Sequence, residues 1–177
     1  MPDSYPLVRY VLAGKLTRQF LLLPKGQVVL DEQGGNLLYA ASGLGLWDAG
    51  VGLVARVGKD YPDEWLKKIG QRNFDIRGIR VLGDELDVRA FSAFSDYGTE
   101  STIDPLSHFS RVGIAVPKLL LGYNGQGQQI DSRTQPSFFT IRVNDIPADY
   151  KDGSAAHICA MDYLSHLLLT TVLREGR

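Results

Sequence analysis

The stretch Gly34–Asp60, GGNLLYAASGLGLWDAGVGLVARVGKD, decides the fold that this sequence predicts. It opens on two adjacent glycines and continues as a small-residue helix over Leu37–Trp47, before an apolar strand, Val51–Val57. A glycine pair lets the backbone approach another group closely, because no Cβ stands in the way and a positive φ costs little. Since the pair leads into a helix N-terminus, whose N–H groups and dipole attract polar groups, the stretch predicts a small polar ligand held by backbone as much as by side chains.

The sequence around this stretch alternates between strand and helix patterns. Leu7–Ala13 is a β-branched, apolar run that predicts a buried strand. Asp60 is predicted to cap the next helix, because acidic residues and a proline follow it. Asp87–Phe94 alternates in the manner of a strand with one wet face. Such alternation predicts an α/β fold.

The second half of the chain gives weaker patterns. Ala155–Cys159 predicts another buried strand, and Met161–Arg174 predicts an amphipathic helix with a basic last turn. A polar, glycine-rich loop is predicted at Gly122–Gln129. Three apolar runs predict short strands: Val112–Val116, Leu119–Leu121 and Phe138–Val143.

Composition narrows the class of protein. The chain has 177 residues, 44% hydrophobic and 22% charged, with a net charge of −1, as expected for an ordinary globular domain. Acidic and basic residues are interspersed, so no basic stripe predicts a nucleic-acid partner. No apolar run approaches the ~20 residues of a membrane-spanning helix. The single cysteine, Cys159, is typical of a reducing compartment, and we expect a cytoplasmic protein.

The order of these pieces resembles the ribokinase (PfkB) family of carbohydrate and nucleoside kinases. The resemblance rests on the first strand ending at Gly14, the Gly34–Gly35 pair, Ala40–Ala41 in the following helix and VGLVARVGKD over Val51–Asp60. It is clear over roughly residues 7–95 and collinear beyond. The resemblance implies an incomplete ribokinase-like three-layer α/β sandwich, with lid strands within about 15–32 and 84–145 of a single partial domain.

The resemblance also implies where a sugar or nucleoside would bind. Gly34, Gly35 and Asn36 would surround the hydroxyl-bearing acceptor, and a lid residue, Arg89, would close over it. Where the family has an asparagine on the helix this chain has Tyr39. The family also commonly has an aspartate just after the first strand, where this chain has Thr17, Arg18 and Gln19. Asp162, near the carboxyl edge of the predicted sheet, is a further pocket candidate.

No Gly-Ala-Gly-Asp motif, which supplies this family's catalytic base and anion hole, occurs in the 177 residues. We therefore expect only the substrate-facing half of an ATP- and Mg²⁺-dependent phosphotransferase, inactive on its own. Cutting a parallel sheet midway leaves an unpaired strand edge. We accordingly expect self-association through that edge or the lid, or binding to a missing C-terminal half.

Two other interpretations remain open. The chain could be a non-catalytic module that binds a small molecule or dimerises. It could instead be an unrelated α/β enzyme that uses Asp162 and His166. His157, Cys159, Asp162 and His166 could converge on a metal, but core packing and an Asp162–His166 pair on one helix are favoured.

Overall fold

A computed structural model describes residues 7–125 and 131–174. These residues form two compact units. The described residues of the first unit are 7–16, 35–87 and 131–174, and those of the second are 17–34 and 88–125. Gly34 and Gly35 therefore belong to different units, and the peptide bond between them joins the two.

The helices and strands follow one another along both units. The strands are β1 (Tyr10–Ala13), β2 (Thr17–Leu22), β3 (Val28–Gly34), β4 (Val51–Val57), β5 (Phe74–Val81), β6 (Arg89–Phe94), β7 (Glu100–Ser101) and β8 (Ala155–Ile158). The α-helices are α1 (Asn36–Leu44), α2 (Asp63–Gly70), α3 (Pro105–Arg111) and α4 (Tyr163–Val172).

The first unit is built on a parallel sheet with strand order β5-β4-β1-β8. Tyr10 of β1 lies opposite Val51 of β4 on one side and Ala155 of β8 on the other. Every residue of β4 is buried, as expected for a continuous apolar run inside a parallel sheet. Leu169 of α4 is fully buried and packs in a core cluster with Val54 of β4 and its neighbours.

The second unit is a four-stranded sheet with order β3-β2-β6-β7. Strands β2 and β6 run parallel, whereas β3 and β7 are antiparallel to their neighbours. Phe20 and Phe91 lie in register on β2 and β6, and both are buried against Phe109 of α3. The alternating apolar residues of these short strands thus build a small core separate from that of the first unit.

The α/β prediction is confirmed, and Val51–Val57 is a strand with the predicted bounds. The helix predicted over Leu37–Trp47 is shorter, because α1 ends at Leu44. The first strand starts at Tyr10 instead of Leu7. The predicted cap is wrong: the N-cap of α2 is Pro62, and the Asp60 carboxylate instead accepts the Leu86 N–H at 2.9 Å.

The second half departs further from the predictions. Ala155–Cys159 does contain a strand, but its first three residues are exposed because β8 is an edge strand. Helix α4 ends at Val172 without a basic residue in its last turn. None of the three short apolar runs is a strand: Val112–Val116, Leu119–Leu121 and Phe138–Val143 form turns, 3-10 turns and irregular chain. The Gly122–Gln129 loop lies partly outside the described residues, which include it only as far as Gly125.

Within the parts of the chain that the structure describes, none of the helices has the length and apolar character needed to cross a membrane.

Candidate functional site

The carboxyl ends of β1 and β8 lie side by side in the parallel sheet, at the edge where open α/β sheets bind ligands. Asn36, the first residue of α1, ties these two ends together. Its Oδ1 accepts the Lys15 N–H at 2.8 Å, and its Nδ2 donates to the Ala160 carbonyl at 2.8 Å. The N-cap of α1 is Gly35, so Asn36 is free to use its side chain for these two contacts instead of capping the helix.

Gly35 has a backbone conformation that only glycine adopts readily, with φ 106° and ψ 156°. A Cβ on this residue would lie 2.2 Å from the Lys15 carbonyl oxygen. The close backbone approach predicted for this turn is thus an approach between two segments of the protein. The same carbonyl accepts the Leu37 N–H at 3.3 Å, so this N–H does not point to a ligand.

The remaining candidates in the first unit are Tyr39 and Asp162. The Tyr39 side chain is 59% exposed on α1, one turn after Asn36. Asp162 is the N-cap of α4: its carboxylate accepts the Ser165 N–H at 3.0 Å and the Ser165 hydroxyl at 2.6 Å. It also accepts the Thr140 hydroxyl at 3.1 Å. Asp162 therefore has a helix-capping role whether or not it also contacts a ligand.

The favoured Asp162–His166 side-chain pair is wrong. The ring nitrogen Nε2 of His166 accepts the Met161 N–H at 3.3 Å, whereas the Asp162 carboxylate is occupied by Ser165 and Thr140. Over the described ranges, no group of three or more His, Cys, Asp or Glu side chains could hold a metal ion. Burial raises the pKa of the Cys159 thiol, so this cysteine stays protonated and is a poor nucleophile.

In the second unit, Arg18 and Gln19 lie at the start of β2 and both interact with β3. The Arg18 guanidinium donates two hydrogen bonds, of 2.7 and 2.6 Å, to the Asp31 carboxylate. The Gln19 side chain lies across Gly34, where a Cβ would come within 2.1 Å of it. The tight packing of Gly34 is therefore also explained by a protein neighbour.

Arg89 is the register partner of Arg18 on the adjacent strand β6. Its guanidinium donates to the carbonyls of Leu119 and Leu121 at 2.6 and 3.1 Å and lies 5.7 Å from the centre of the Tyr123 ring. The Arg89 side chain is therefore held by other residues of the second unit and does not simply extend into solvent. Arg89 fastens the segment that follows α3 to the sheet of the second unit.

Three residues that shape these contacts were not among the predicted ones. Lys15 and Ala160 contribute only backbone groups, which side-chain chemistry in a sequence cannot reveal. Asp31 has φ 53° and lies at an irregularity in the β2–β3 register. A charged residue inside a strand pattern was the available signal for such an irregularity.

We expect Asn36→Leu to destabilise the first unit by about 1–3 kcal/mol, because it leaves the Lys15 N–H and the Ala160 carbonyl without their partner. Urea unfolding followed by circular dichroism measures the loss. Asn73→Leu is unsuitable as a control, because Asn73 has a positive φ of 63°. Asn144→Leu is a suitable one, since Asn144 lies exposed in a 3-10 turn. Equal losses in the two variants would show that the contacts of the Asn36 side chain with Lys15 and Ala160 do not stabilise the first unit.

No protein-family model matches the chain. The cytidine kinase of Thermococcus kodakarensis is 35% identical over 72 residues, which are 41% of this chain and 25% of that protein. A putative ribokinase II of E. coli, solved in its apo form, has a TM-score of 0.58 and 14% identity, covering 95% of this chain and 50% of its own.

An uncharacterized sugar kinase from Pyrococcus horikoshii has a TM-score of 0.57 and 16% identity, over 94% of this chain and 50% of its own. At sequence identities of 14% and 16%, the structural similarity establishes the fold alone. The chain spans a quarter of the cytidine kinase and about half of each solved structure. The chain therefore has the α/β fold of the ribokinase-like sugar kinases, over about half the length of the solved ones.

Proposed function

We propose that this chain is the substrate-binding part of an ATP-dependent kinase that phosphorylates an alcohol group of a sugar or nucleoside. The observation that carries the proposal is the arrangement at the carboxyl edge of the parallel sheet. There the Asn36 carboxamide holds the start of α1 against the chain segments that follow β1 and β8. The ribokinase-like fold and the 72-residue match to a cytidine kinase support the acceptor class.

A phosphotransferase holds its acceptor hydroxyl in place before the phosphoryl group arrives, and such positioning lowers the barrier substantially. This chain offers groups for that step in each unit, which we treat separately. In the first unit, the candidates are Tyr39, whose side chain on α1 is largely exposed, and Gly35 and Asn36, which shape the backbone at the start of that helix. In the second unit, the lid of the proposal, the candidates are Gly34, Gln19 and the two arginines, Arg18 and Arg89.

ATP and Mg²⁺ belong to the proposal only through the family. Bound Mg²⁺ and ATP would supply the phosphoryl group and neutralise its charge. The described residues contain no group of three or more His, Cys, Asp or Glu side chains that could hold a metal ion. We assign no residue of this chain to Mg²⁺ or to ATP. A general base contributes about 10²–10⁴ in rate. Because the Gly-Ala-Gly-Asp motif that supplies this base in the family does not occur in the 177 residues, we expect the isolated chain to bind an acceptor without measurable phosphotransfer.

Isothermal titration calorimetry tests the proposal. The chain is titrated with ribose, fructose, cytidine and adenosine, each with and without Mg²⁺ and ATP, and ADP release is followed in parallel. Binding of at least one acceptor without ATP supports the proposal, and binding of none overturns it. ADP release that depends on the acceptor and is lost in Asn36→Leu would overturn the expected inactivity.

The competing interpretation, a non-catalytic sensor or dimerising module, shares the binding step. A sensor or dimerising module would show no phosphotransfer, even when the remaining half of a ribokinase-like kinase is supplied. Activity restored by adding such a half in trans therefore separates the two interpretations.

We expect Tyr39→Phe to weaken acceptor binding about 2- to 10-fold, because it removes one hydrogen-bonding hydroxyl from a side chain that is 59% exposed. Calorimetry with the best acceptor measures the change. Tyr97→Phe is the matched control, since Tyr97 is 97% exposed in the second unit and is not a proposed ligand contact. An unchanged affinity in Tyr39→Phe removes Tyr39 from the proposed site.

A further inference from the structure

Asn124 and Gly125 form the single Asn–Gly dipeptide of this sequence, and both lie in the second unit. They follow Tyr123, which is buried in the core of that unit. Asn124 is exposed, and Gly125 has a positive φ of 88°. Among the residues that the structure describes, none forms a hydrogen bond with the Asn124 side chain or accepts one from the Gly125 N–H. No hydrogen bond within the described chain therefore keeps these two neighbouring groups apart.

An asparagine followed by glycine is a chemically labile site, because the backbone nitrogen of the glycine can attack the side-chain amide. The attack closes a five-membered ring and meets no Cβ from the glycine. The new bond joins the Gly125 nitrogen to Asn124 Cγ, the bond from Cγ to Nδ2 breaks, and ammonia leaves with the proton given up by the Gly125 nitrogen. Water then opens the ring: at Cγ it yields aspartate, and at the main-chain carbonyl it yields isoaspartate, whose main chain runs through Cβ. The net reaction consumes water, releases ammonia and needs no further reactant.

The setting of Asn36 hinders the same reaction in two ways. Its side-chain amide is held at both ends, by the Lys15 N–H and the Ala160 carbonyl, each at 2.8 Å. The N–H that would attack it, that of Leu37, donates to the Lys15 carbonyl at 3.3 Å. Asn36 therefore has both its amide and its potential nucleophile engaged.

The other two asparagines are also less suited to ring closure. Asn73 precedes Phe74, a buried residue of strand β5 whose large side chain crowds the attacking nitrogen. Asn144 precedes Asp145, whose N–H donates to the Arg142 carbonyl at 2.9 Å in a 3-10 turn. The local structure thus separates Asn124 from every other asparagine of the sequence.

The dipeptide Asp152–Gly153 supplies a comparison in which glycine is also the following residue. An aspartate forms the same five-membered ring, with water as the leaving group in place of ammonia. Here, however, the Gly153 N–H donates to the Tyr150 carbonyl at 3.1 Å. The folded structure therefore engages the nucleophile of Asp152–Gly153, whereas no described residue engages that of Asn124–Gly125.

We propose that Asn124 is a site of spontaneous deamidation in the folded protein, converted through the cyclic imide to isoaspartate and aspartate. Each event adds one negative charge to a chain whose net charge is −1. This inference does not depend on the proposed kinase function.

Isoaspartate also lengthens the main chain by one carbon between Tyr123 and Gly125. Tyr123 is held in the core of the second unit, where its hydroxyl accepts the Phe91 N–H at 3.2 Å. Gly125 lies so close to Ile103 that an added Cβ would be 3.5 Å from that side chain. The modification therefore alters both the charge and the path of the chain directly beside this core.

Peptide mapping by mass spectrometry tests the proposal. The chain is incubated at neutral and at mildly alkaline pH, once folded and once unfolded in guanidinium chloride, and is then digested with trypsin. Residues 119–133 form one tryptic peptide, in which Asn124 is the single asparagine. In the folded chain we expect Asn124 to react at least about tenfold faster than each other asparagine, which requires a barrier lower by about 1.4 kcal/mol. The rate should rise with pH, because the attacking nitrogen must lose its proton.

The comparison of folded and unfolded chains tests the structural part of the argument. Asn124 should react within about threefold of its unfolded rate, whereas Asp152 should isomerise at least about tenfold faster once the chain is unfolded. A folded chain in which Asn124 reacts no faster than Asn73 overturns the proposal. So does a folded-state protection of Asn124 as large as that of Asp152.

Asn124→Gln is the control variant, because it keeps the amide but requires a six-membered ring, and it should abolish the reaction at this position. Gly125→Ala is unsuitable, since Gly125 has a positive φ of 88°. Circular dichroism checks that Asn124→Gln folds like the native chain. The same mass change in the 119–133 peptide of Asn124→Gln would contradict the assignment to Asn124.

Discussion

Gly35→Ala is expected to lower the free energy of unfolding by at least about 3 kcal/mol, a large part of the ~5–15 kcal/mol that stabilises a typical domain. Two costs combine at this residue. The backbone has φ 106° and ψ 156°, a conformation essentially restricted to glycine. In addition, the new Cβ would lie 2.2 Å from the Lys15 carbonyl oxygen, which is fixed backbone and cannot rotate away.

Gly43→Ala is the control for this prediction. Gly43 also lies in α1, but a Cβ added there meets no atom within 4 Å. This substitution should raise stability by up to about 1 kcal/mol, because alanine loses less conformational entropy in a helix than glycine does. Urea unfolding followed by circular dichroism measures both variants. Similar stabilities for Gly35→Ala and Gly43→Ala would show that the turn relaxes at little cost.

The glycine pair also shows how far sequence reasoning reaches. The pair correctly indicated a close backbone approach, because few other features require two adjacent glycines before a helix. The pattern could not say what approaches. In the structure the neighbours are the Lys15 carbonyl and the Gln19 side chain, so protein packing accounts for both glycines and ligand contact remains a prediction.

The regular elements were predicted where one run of residues is sufficient evidence. Val51–Val57 is buried along its whole length, so its apolar run marks the strand from end to end. Short apolar runs elsewhere lacked such evidence. Leu120 and Tyr123 fill the core of the second unit from a 3-10 turn and its flank, which a periodicity argument cannot distinguish from a strand.

The side-chain contacts of the candidate site depend on tertiary structure in a similar way. Arg18 meets Asp31 because β2 and β3 pair with an irregular register, and that register is not encoded in either strand alone. Asn36 meets Ala160, which lies 124 residues away. The partners of the candidate residues were therefore not predictable from the sequence, and the ligand roles of these residues stay predictions.

A buried ion pair in the first unit gives the second large expected effect. Arg56 of β4 and Asp145 are only 7% and 4% exposed, and the Arg56 Nε lies 2.8 Å from Asp145 Oδ2. The Nε–H is not aligned as a hydrogen bond, so the attraction between them is mainly Coulombic. Arg56 also donates to the Phe138 carbonyl at 3.0 Å, and Asp145 accepts the Arg142 N–H at 2.8 Å. The pair thus holds the irregular segment 138–145 against the sheet.

Asp145→Asn is expected to destabilise the chain by about 3–5 kcal/mol, because it leaves the Arg56 guanidinium buried without a counter-charge. The amide keeps the size of the side chain and an acceptor for Arg142, so the loss reports the charge. Arg56→Met should lower the free energy of unfolding by a similar amount, since it leaves the Asp145 carboxylate buried without a counter-charge. The double variant should lose clearly less than the sum of the two, and urea unfolding of all four proteins measures this coupling.

Glu85→Gln is the control, because Glu85 is 74% exposed and 4.0 Å from Lys59, where removing the charge should cost under about 1 kcal/mol. Additive losses in the double variant would show that Arg56 and Asp145 are stabilised independently, by their other partners.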